Sequence, residues 1–212
     1  MSKIVVFGAG GRAGRSAVAE ARRRGHDVTA VVRDPVRHGG LAAEGVRIAA
    51  GDVTDVATVA ALAAGHDAAI HAAAVYGEGT DPDAFFPGAA RALVKGLPRA
   101  GVDRLVAIGL SVLLPGADGT RAVDAPGFPA EFRAFCLAHE AGFTVVRDEG
   151  DALDWVYVTP AGDFGHEGEP TGRYEVRAHG EPEARISYAD FALSLLDEAG
   201  TPRHHRSHLI VT

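Results

Sequence analysis

Three glycines near the start of the chain have a spacing suited to phosphate binding. Residues 8–14 read Gly-Ala-Gly-Gly-Arg-Ala-Gly and fit the pattern G-x-x-G-x-x-G between an apolar run and a helix-period segment. Glycines let the backbone approach a pyrophosphate, whose charge then sits at the positive end of the helix. The pattern predicts a dinucleotide-binding turn at Gly8, Gly10, Gly11, Arg12, Ala13 and Gly14. The alternative is a glycine-rich turn that binds no ligand.

The residues after the second apolar run indicate which dinucleotide would bind. Arg33 comes first and Asp34 second, and Arg12, Arg15 and Arg37 add to a basic cluster. Arginine suits the 2′-phosphate of NADP, whereas an acidic residue suits the free ribose hydroxyl of NAD. We expect NADPH to be preferred, with NAD possible if Asp34 points inward. The alternative is a set of ordinary solvated arginines.

Two further segments fit a dinucleotide groove. Asp52 and Val53 follow the third apolar run, where a carboxylate can accept from the adenine amino group. The small side chains of Ala72, Ala73 and Ala74 follow the fourth run, where they allow the cofactor to lie close to the backbone. The alternatives are that Asp52 begins the next helix and that the alanines only pack.

Ser111 is the candidate catalytic residue, because it follows the fifth run, where open α/β sheets place ligands. Its hydroxyl would orient the nicotinamide or donate to an acceptor; the alternative is a serine that caps a turn. A Tyr-x-x-x-Lys acid–base pair is absent, since the fourth residue after each tyrosine is Thr or Ala. The sequence therefore favours hydride acceptors such as a flavin or a quinone, whose reduction needs proximity to the cofactor more than a strong general acid.

Metal binding and thiol chemistry are not predicted. His204, His205 and His208 lie near the C-terminus among arginines and without a nearby cysteine, which favours a solvated turn. The only cysteine, Cys136, lies in a predicted helix and is interpreted as a small core residue.

Apolar runs alternate with helix-period segments along the first half of the chain. Continuous apolar strands that alternate with helices indicate a parallel sheet covered on both faces. The fold class is therefore predicted as α/β, a Rossmann-like doubly wound, mostly parallel sheet with a small loop-rich substrate-side region. Predicted strands are 3–7, 27–32, 46–50, 67–71, 104–109, 153–158, 173–178, 184–187 and 208–211; predicted helices are 12–24, 55–64, within 83–100, 131–146 and 188–199.

Residues 1–212 are expected to form one domain, since no linker or repeat divides them. The substrate-side loops are predicted at about 112–130 and 160–185, where Phe128, Phe132 and Phe164 are candidates for an acceptor pocket. A proline at 98 is expected to kink or shorten the last turn of its helix.

Composition and charge limit the partners. The chain carries 21 Lys and Arg against 28 Asp and Glu, a net charge of −7, which opposes binding to nucleic acid or anionic membranes. No apolar run is long enough for a membrane span, no signal peptide is expected, and one cysteine permits no internal disulfide. We expect a cytoplasmic protein whose partner is a small-molecule acceptor; its oligomeric state stays open.

The chain resembles the atypical short-chain dehydrogenase/reductases, in their NAD(P)H-binding, NmrA-like and biliverdin-IXβ/flavin-reductase-like branch. The resemblance covers nearly the whole chain, and it is carried by residues 8–14, 31–35, 51–53, 109–111, 153–160, 171–174 and 186–191. It implies a nicotinamide site at Gly109, Leu110 and Ser111, with Pro160 beside it. One departure is Ala161, where the biliverdin/flavin reductases can have a histidine after the proline.

These observations together predict an NADPH-dependent oxidoreductase that transfers hydride to a flavin, quinone or similar conjugated acceptor. The alternative is a non-catalytic NADP(H)-binding redox sensor of the NmrA-like type. An epimerase or dehydratase comes third, because the tyrosine–lysine pair is missing.

Overall fold

A computed structural model describes residues 1–165 and 169–212. The first three strands have the predicted bounds: β1 is Lys3–Phe7, β2 is Asp27–Val32 and β3 is Val46–Ala50. They are followed by β4 (Ala68–His71), β5 (Arg104–Ile108), β6 (Asp154–Pro160), β7 (Asp163–Phe164), β8 (Val176–Arg177), β9 (Arg185–Ile186) and β10 (Ser207–Val211). The helices are α1 (Arg12–Arg23), α2 (Val56–Ala63), α3 (Pro82–Arg99), α4 (Ala130–Glu149) and α5 (Tyr188–Gly200).

The main sheet has the strand order β3-β2-β1-β4-β5-β6-β10-β8. All neighbouring strands in it are parallel except β8, which runs antiparallel to β10 along two residues. The chain moves outward in one direction from β1 to β3 and in the other from β4 to β6. The direction therefore reverses between β1 and β4, and ligands bind at such a switch point in open α/β sheets. This architecture confirms the predicted fold class.

Helices cover both faces of the sheet through two apolar layers. On one face, Ala17 and Ala21 of α1 and Phe191 and Leu195 of α5 pack against alternate strand residues such as Ile70. On the other face, α2, α3 and α4 cover the strand residues of opposite parity; the buried members there include Val59, Leu93, Leu97, Val146, Val5, Ala69, Leu105 and Tyr157. Alternate side chains of each strand thus enter different cores, as the pleat requires.

Several predicted boundaries differ from those observed. The helix containing Pro98 continues through Arg99 and is not shortened before the proline, because the backbone N–H groups of Ala100 and Gly101 still bond to carbonyls of its last turn. Helix α4 extends three residues past the predicted end and stops only at Gly150. The predicted strand 173–178 is reduced to β8, because only Ile210 and Val211 of β10 pair with it.

The two predicted substrate-side loops contain little regular structure. The first includes short 3-10 turns at Ser111–Leu113 and Ala122–Asp124. The second, predicted at 160–185, begins with the last residue of β6 and contains β7 and β8; β7 pairs in parallel with β9, which starts at the end of the range. Residues 166–168 of that loop lie outside the described residues. Both loops follow the carboxyl ends of β5 and β6, the edge at which the switch point opens.

Candidate functional site

The glycine turn joins β1 to α1 directly above the end of β4. The backbone N–H groups of Gly8 and Ala9 donate to the carbonyl of Val31 at 3.2 and 3.1 Å, which ties the turn to β2. Gly8 has a φ of +82°, and a Cβ there would lie 2.4 Å from the backbone nitrogen of Ala73. Both the backbone angle and the close approach require glycine. The turn and the alanine segment are therefore two walls of one crevice.

The N-terminus of α1 is open, unlike those of three other helices. Side chains of Asp55, Asp81 and Ser187 accept a backbone N–H at the starts of α2, α3 and α5. Gly11 caps α1 without a side chain, and the first turn holds no acidic residue. A Cβ on Gly14 would lie 2.2 Å from the carbonyl oxygen of Gly8, so α1 abuts the turn. Uncapped N–H groups at a positive helix end form a fitting cradle for phosphate.

A wide groove of about 640 Å³, here called the outer groove, lies beside this helix end. Most of the predicted cofactor residues line it. Its lining residues are Phe7, Gly8, Gly10, Gly11, Val31, Val32, Arg33, Asp34, Arg37, His38, Gly51, Asp52, Val53, Ala72, Ala73, Ala74, Val75 and Phe85. The structure thus brings the ends of β1, β2, β3 and β4 together around one groove.

Arginines and a histidine form the basic end of the outer groove. Arg33 and Arg37 are exposed there, and the ring of His38 rests so close to Gly10 that a Cβ on that glycine would lie 2.6 Å from Nε2. Arg15 braces this ring, since its guanidinium lies 3.0 Å from Nδ1 of His38 and donates to the Gly10 carbonyl at 2.9 Å. The sequence reasoning overlooked His38, although its position after Arg37 in a basic run was a usable signal.

The two acidic residues of the outer groove shape its turns. Oδ1 of Asp34 accepts from the backbone N–H of Val36 at 3.0 Å, and Oδ1 of Asp52 accepts from the N–H of Thr54 at 2.9 Å. These are local turn-forming bonds typical of aspartate. Arg12 is exposed at the start of α1 and is not among the lining residues of this groove. The basic end consequently carries Arg33 and Arg37 from the predicted cluster.

A second, smaller cavity of about 180 Å³ continues from the outer groove and is here called the inner cavity. Ala72, Ala73 and Ala74 belong to both, so the alanine segment is the shared wall. The inner cavity is lined by Ala13, His71, Ala72, Ala73, Ala74, Phe86, Ala90, Ile108, Leu110, Phe135, His139, Gly142, Tyr157, Phe164 and Tyr188. Among these described residues there is no Asp, Glu, Lys or Arg.

Two histidines are among the polar side chains that line the inner cavity. His71 ends β4, and His139 projects from α4 with its ring centroid 4.8 Å from that of Phe86. Burial, together with the proximity of His139, lowers the pKa of His71 to about 4. Burial also lowers the pKa of His139 to about 4, against a hydrogen bond with the Ile108 backbone that favours its protonation. Both imidazoles are therefore neutral at neutral pH.

Sequence reasoning missed this pair. His71 was visible only as the end of a strand, and His139 lies 68 positions later in a helix. Tyr157 and Tyr188 of the same cavity were considered only as candidates for a tyrosine–lysine pair. Helix α4 brings His139 to the sheet by long-range packing, so no local motif marks the meeting point.

The remaining predicted site residues lie around the end of β5 and β6. Leu110 lines the inner cavity, but Ser111 begins a 3-10 turn and is not among the described lining residues of either cavity. A Cβ on Gly109 would lie 2.0 Å from Oγ1 of Thr159, so that glycine permits close packing of the strands. Pro160 ends β6 opposite Val211. The residues predicted for the nicotinamide site thus lie at one edge of the sheet, and Leu110 is the one among them that lines the inner cavity.

The other reactive side chains have structural partners. Nδ1 of His204 lies 2.8 Å from the Glu198 carboxylate, and Nδ1 of His205 lies 3.0 Å from Asp154. Cys136 is buried, which raises the pKa of its thiol to about 11. In residues 1–165 and 169–212, no three His, Cys, Asp or Glu side chains are grouped to hold a metal ion, and no helix is long and apolar enough to cross a membrane.

Comparisons with known proteins agree with this geometry. The NAD(P)H-binding family matches residues 8–202, from the glycine turn to the end of α5. This chain belongs to that family. The YwnB protein of Bacillus subtilis is 31% identical over 216 residues, which cover 99% of this chain and 97% of YwnB.

Solved structures of similar proteins share the whole fold. A Burkholderia pseudomallei protein named as an exported protein is 34% identical with a TM-score of 0.83, and 100% of each chain is covered. SP1627 of Streptococcus pneumoniae TIGR4, named as an NADH-flavin reductase, is 29% identical with a TM-score of 0.78. That match covers 100% of this chain and 99% of SP1627. The family membership therefore supports a nicotinamide dinucleotide as the ligand of the outer groove.

Proposed function

We propose that the protein is an NADPH-dependent reductase that passes hydride to a conjugated acceptor such as a flavin or a quinone. The observation that carries this proposal is the continuity of the two cavities. The outer groove adjoins the open N-terminus of α1 and meets an aromatic inner cavity at Ala72, Ala73 and Ala74. A dinucleotide lying in the groove would reach the inner cavity at this shared wall.

Each part of the outer groove fits one part of the dinucleotide. The turn from Gly8 to Gly14 would hold the pyrophosphate through backbone N–H groups. Arg33, with Arg37 and His38 beside it, would bind the 2′-phosphate through charge-assisted hydrogen bonds. The other proposed contacts are Asp52 and Val53 toward adenine, and Ala72, Ala73, Ala74, Gly109, Leu110, Ser111 and Pro160 toward the nicotinamide.

The inner cavity suits hydride transfer because it is apolar and lacks charged side chains among its described lining residues. A reduced nicotinamide supplies the hydride when it is bound. The protein's own contribution is to exclude water with Phe86, Phe135 and Phe164 and to hold the acceptor against the alanine wall. Ser111, one residue beyond Leu110, would position the ring that reacts.

The name of SP1627 supports a reductase, since that protein is named as an NADH-flavin reductase and matches this chain over its whole length. The direct test is to follow the absorbance of NADPH with FMN, menadione or biliverdin supplied in turn. We expect oxidation that requires both protein and acceptor. Tight binding of NADPH without oxidation in the presence of any of the three would contradict the reductase proposal.

Tight NADPH binding without oxidation would favour a non-catalytic NADP(H)-binding sensor. One observation supports this candidate: three titratable side chains of the inner cavity, His71, His139 and Tyr157, are poor proton donors and acceptors at neutral pH. Burial holds the pKa values of His71 and His139 at about 4 and raises that of Tyr157. A sensor would show the same dinucleotide affinity, and its signal would be a conformational change between NADPH-bound and NADP-bound states.

A further inference from the structure

The inner cavity contains two imidazole nitrogens without a hydrogen-bond partner in the described part of the chain. They are Nδ1 of His71 and Nδ1 of His139, and both are shielded from solvent. A buried polar atom without a partner costs about 1–3 kcal/mol, and the great majority of such atoms in proteins are paired. Both histidines line the same cavity, so a ligand with polar groups there is the candidate partner for their unmet hydrogen bonds.

The two histidines come from different elements that border the cavity. His71 continues directly into the alanine wall shared with the outer groove, whereas His139 comes from α4 on the covering layer. The Phe86 ring packs against His139, and Gly142 approaches α3 so closely that its Cβ would lie 2.9 Å from the Phe86 carbonyl. Helices α3 and α4 thus fix the position of the second histidine.

Size and charge restrict the occupant. The cavity of about 180 Å³ is smaller than the roughly 300–1,000 Å³ typical of pockets for drug-sized ligands. It has room for one or two fused rings. A phosphate or carboxylate on the ligand would enter a space whose described lining includes no cation, and burying an unpaired charge is costly.

We propose that His71 and His139 form the polar edge of an acceptor site that selects an uncharged, one- or two-ring carbonyl compound over a larger or charged acceptor. This assignment rests on the proposed reductase function. A neutral imidazole donates from one nitrogen and accepts at the other. His71, beside the alanine wall, donates to the acceptor carbonyl, and His139 accepts from the hydroxyl that forms there on reduction.

The redox balance of such a step is complete. Transfer of one hydride from NADPH and one proton from solvent converts a quinone into its hydroquinone, and NADPH becomes NADP⁺. The histidines are positioning residues in this scheme, because their neutral rings orient the carbonyl while the proton comes from solvent. The binding of the oxidised compound can therefore be measured apart from turnover.

The test compares menadione with naphthalene, which has the same two rings without oxygen. Calorimetric dissociation constants are measured for the NADP⁺-loaded wild-type protein and for His71→Leu, His139→Leu and the control His66→Gln. His66 is a partly buried histidine that bonds to Thr29 and lies outside both cavities. We expect menadione affinity to fall by about three- to tenfold in His71→Leu, the loss of one hydrogen bond. Naphthalene affinity should stay within about twofold.

Several outcomes would overturn the proposal. Equal menadione affinity in the wild-type protein and both leucine variants would remove the histidines from the site, and an equal loss of naphthalene affinity would show only a packing defect. Oxidation of NADPH by FMN without menadione binding would reject this acceptor class while leaving the reductase intact. Menadione binding that depends on His71 without any NADPH oxidation would retain the site and reject the reductase.

A measurement on the wild-type protein covers the case in which a leucine variant fails to fold. The nitrogen resonances of isotope-labelled histidine are recorded while menadione is added. We expect the buried His71 resonances to shift and those of His66 to remain in place. Unshifted His71 resonances at saturating menadione would contradict the proposal.

Discussion

Replacing Gly8 with alanine tests the close contact between the glycine turn and the alanine wall. The new methyl group would meet two penalties, since the residue has a φ of +82° and its Cβ would lie 2.4 Å from the nitrogen of Ala73. The left-handed conformation costs an alanine about 1–2 kcal/mol. Forcing the methyl group into packed backbone adds about 1–3 kcal/mol. We therefore expect Gly8→Ala to lower the free energy of unfolding by about 2–5 kcal/mol and to weaken NADPH binding.

Gly25→Ala is the matched control. Its φ is +77°, but a Cβ there would have no atom within 4 Å, so only the conformational cost applies. For a chain of this size, 1 kcal/mol corresponds to about 2–4 °C in melting temperature. Thermal denaturation should show a drop of roughly 4–20 °C for Gly8→Ala and roughly 2–8 °C for the control. Equal losses in the two variants, or unchanged NADPH affinity in Gly8→Ala, would refute the reasoning about the shared crevice.

Three further predictions concern other parts of the structure. Arg104→Met should destabilise the fold by about 3–5 kcal/mol in chemical denaturation, because it removes the buried guanidinium that donates to the Glu198 carboxylate at 2.8 Å. That carboxylate, 1% exposed, then keeps the backbone N–H groups of Arg203 and His204 and the His204 ring as its partners. Ser111→Ala should lower kcat about tenfold with unchanged NADPH affinity, and unchanged turnover would remove Ser111 from the reaction. Stability should fall as pH drops from about 6.5 to about 4, because the lowered pKa values of His71 and His139 make the unfolded state bind protons first. Denaturation midpoints across this range should vary less in His71→Leu.

The fold was predictable because its signals are local. Apolar runs predicted the bounds of β1, β2 and β3, and glycines that end helices predicted those of α1 and α2 to within one residue. Gly25 and Gly65 have the positive φ values that such ends require. The end of α4 was placed too early because charged residues precede its stop signal, Gly150. Short edge pairings such as β8 depend on a distant partner strand and leave little trace in the sequence.

The outer groove was predictable for the same reason, since each of its segments follows a recognisable strand. The inner cavity was predicted only in part, through Phe164 as a candidate for an acceptor pocket, because it forms where the end of β4 meets α4 and aromatic side chains of α3, β6, β7 and α5. Ser111 shows how coarse the expectation is that ligands bind at the ends of strands. The expectation points to this edge of the sheet, but the chain turns at Ser111 and it is Leu110 that lines the cavity.

The proposed preference for NADPH depends most directly on Arg33 in the outer groove. The decisive measurement is the ratio of the dissociation constants for NADH and NADPH in the wild-type protein, Arg33→Ala and the control Arg22→Ala, an exposed arginine of α1 outside both cavities. Charge-assisted bonds to a phosphate predict a wild-type preference for NADPH of about 10- to 100-fold, retained in the control and largely lost in Arg33→Ala. Equal affinities for the two dinucleotides in the wild-type protein would contradict it.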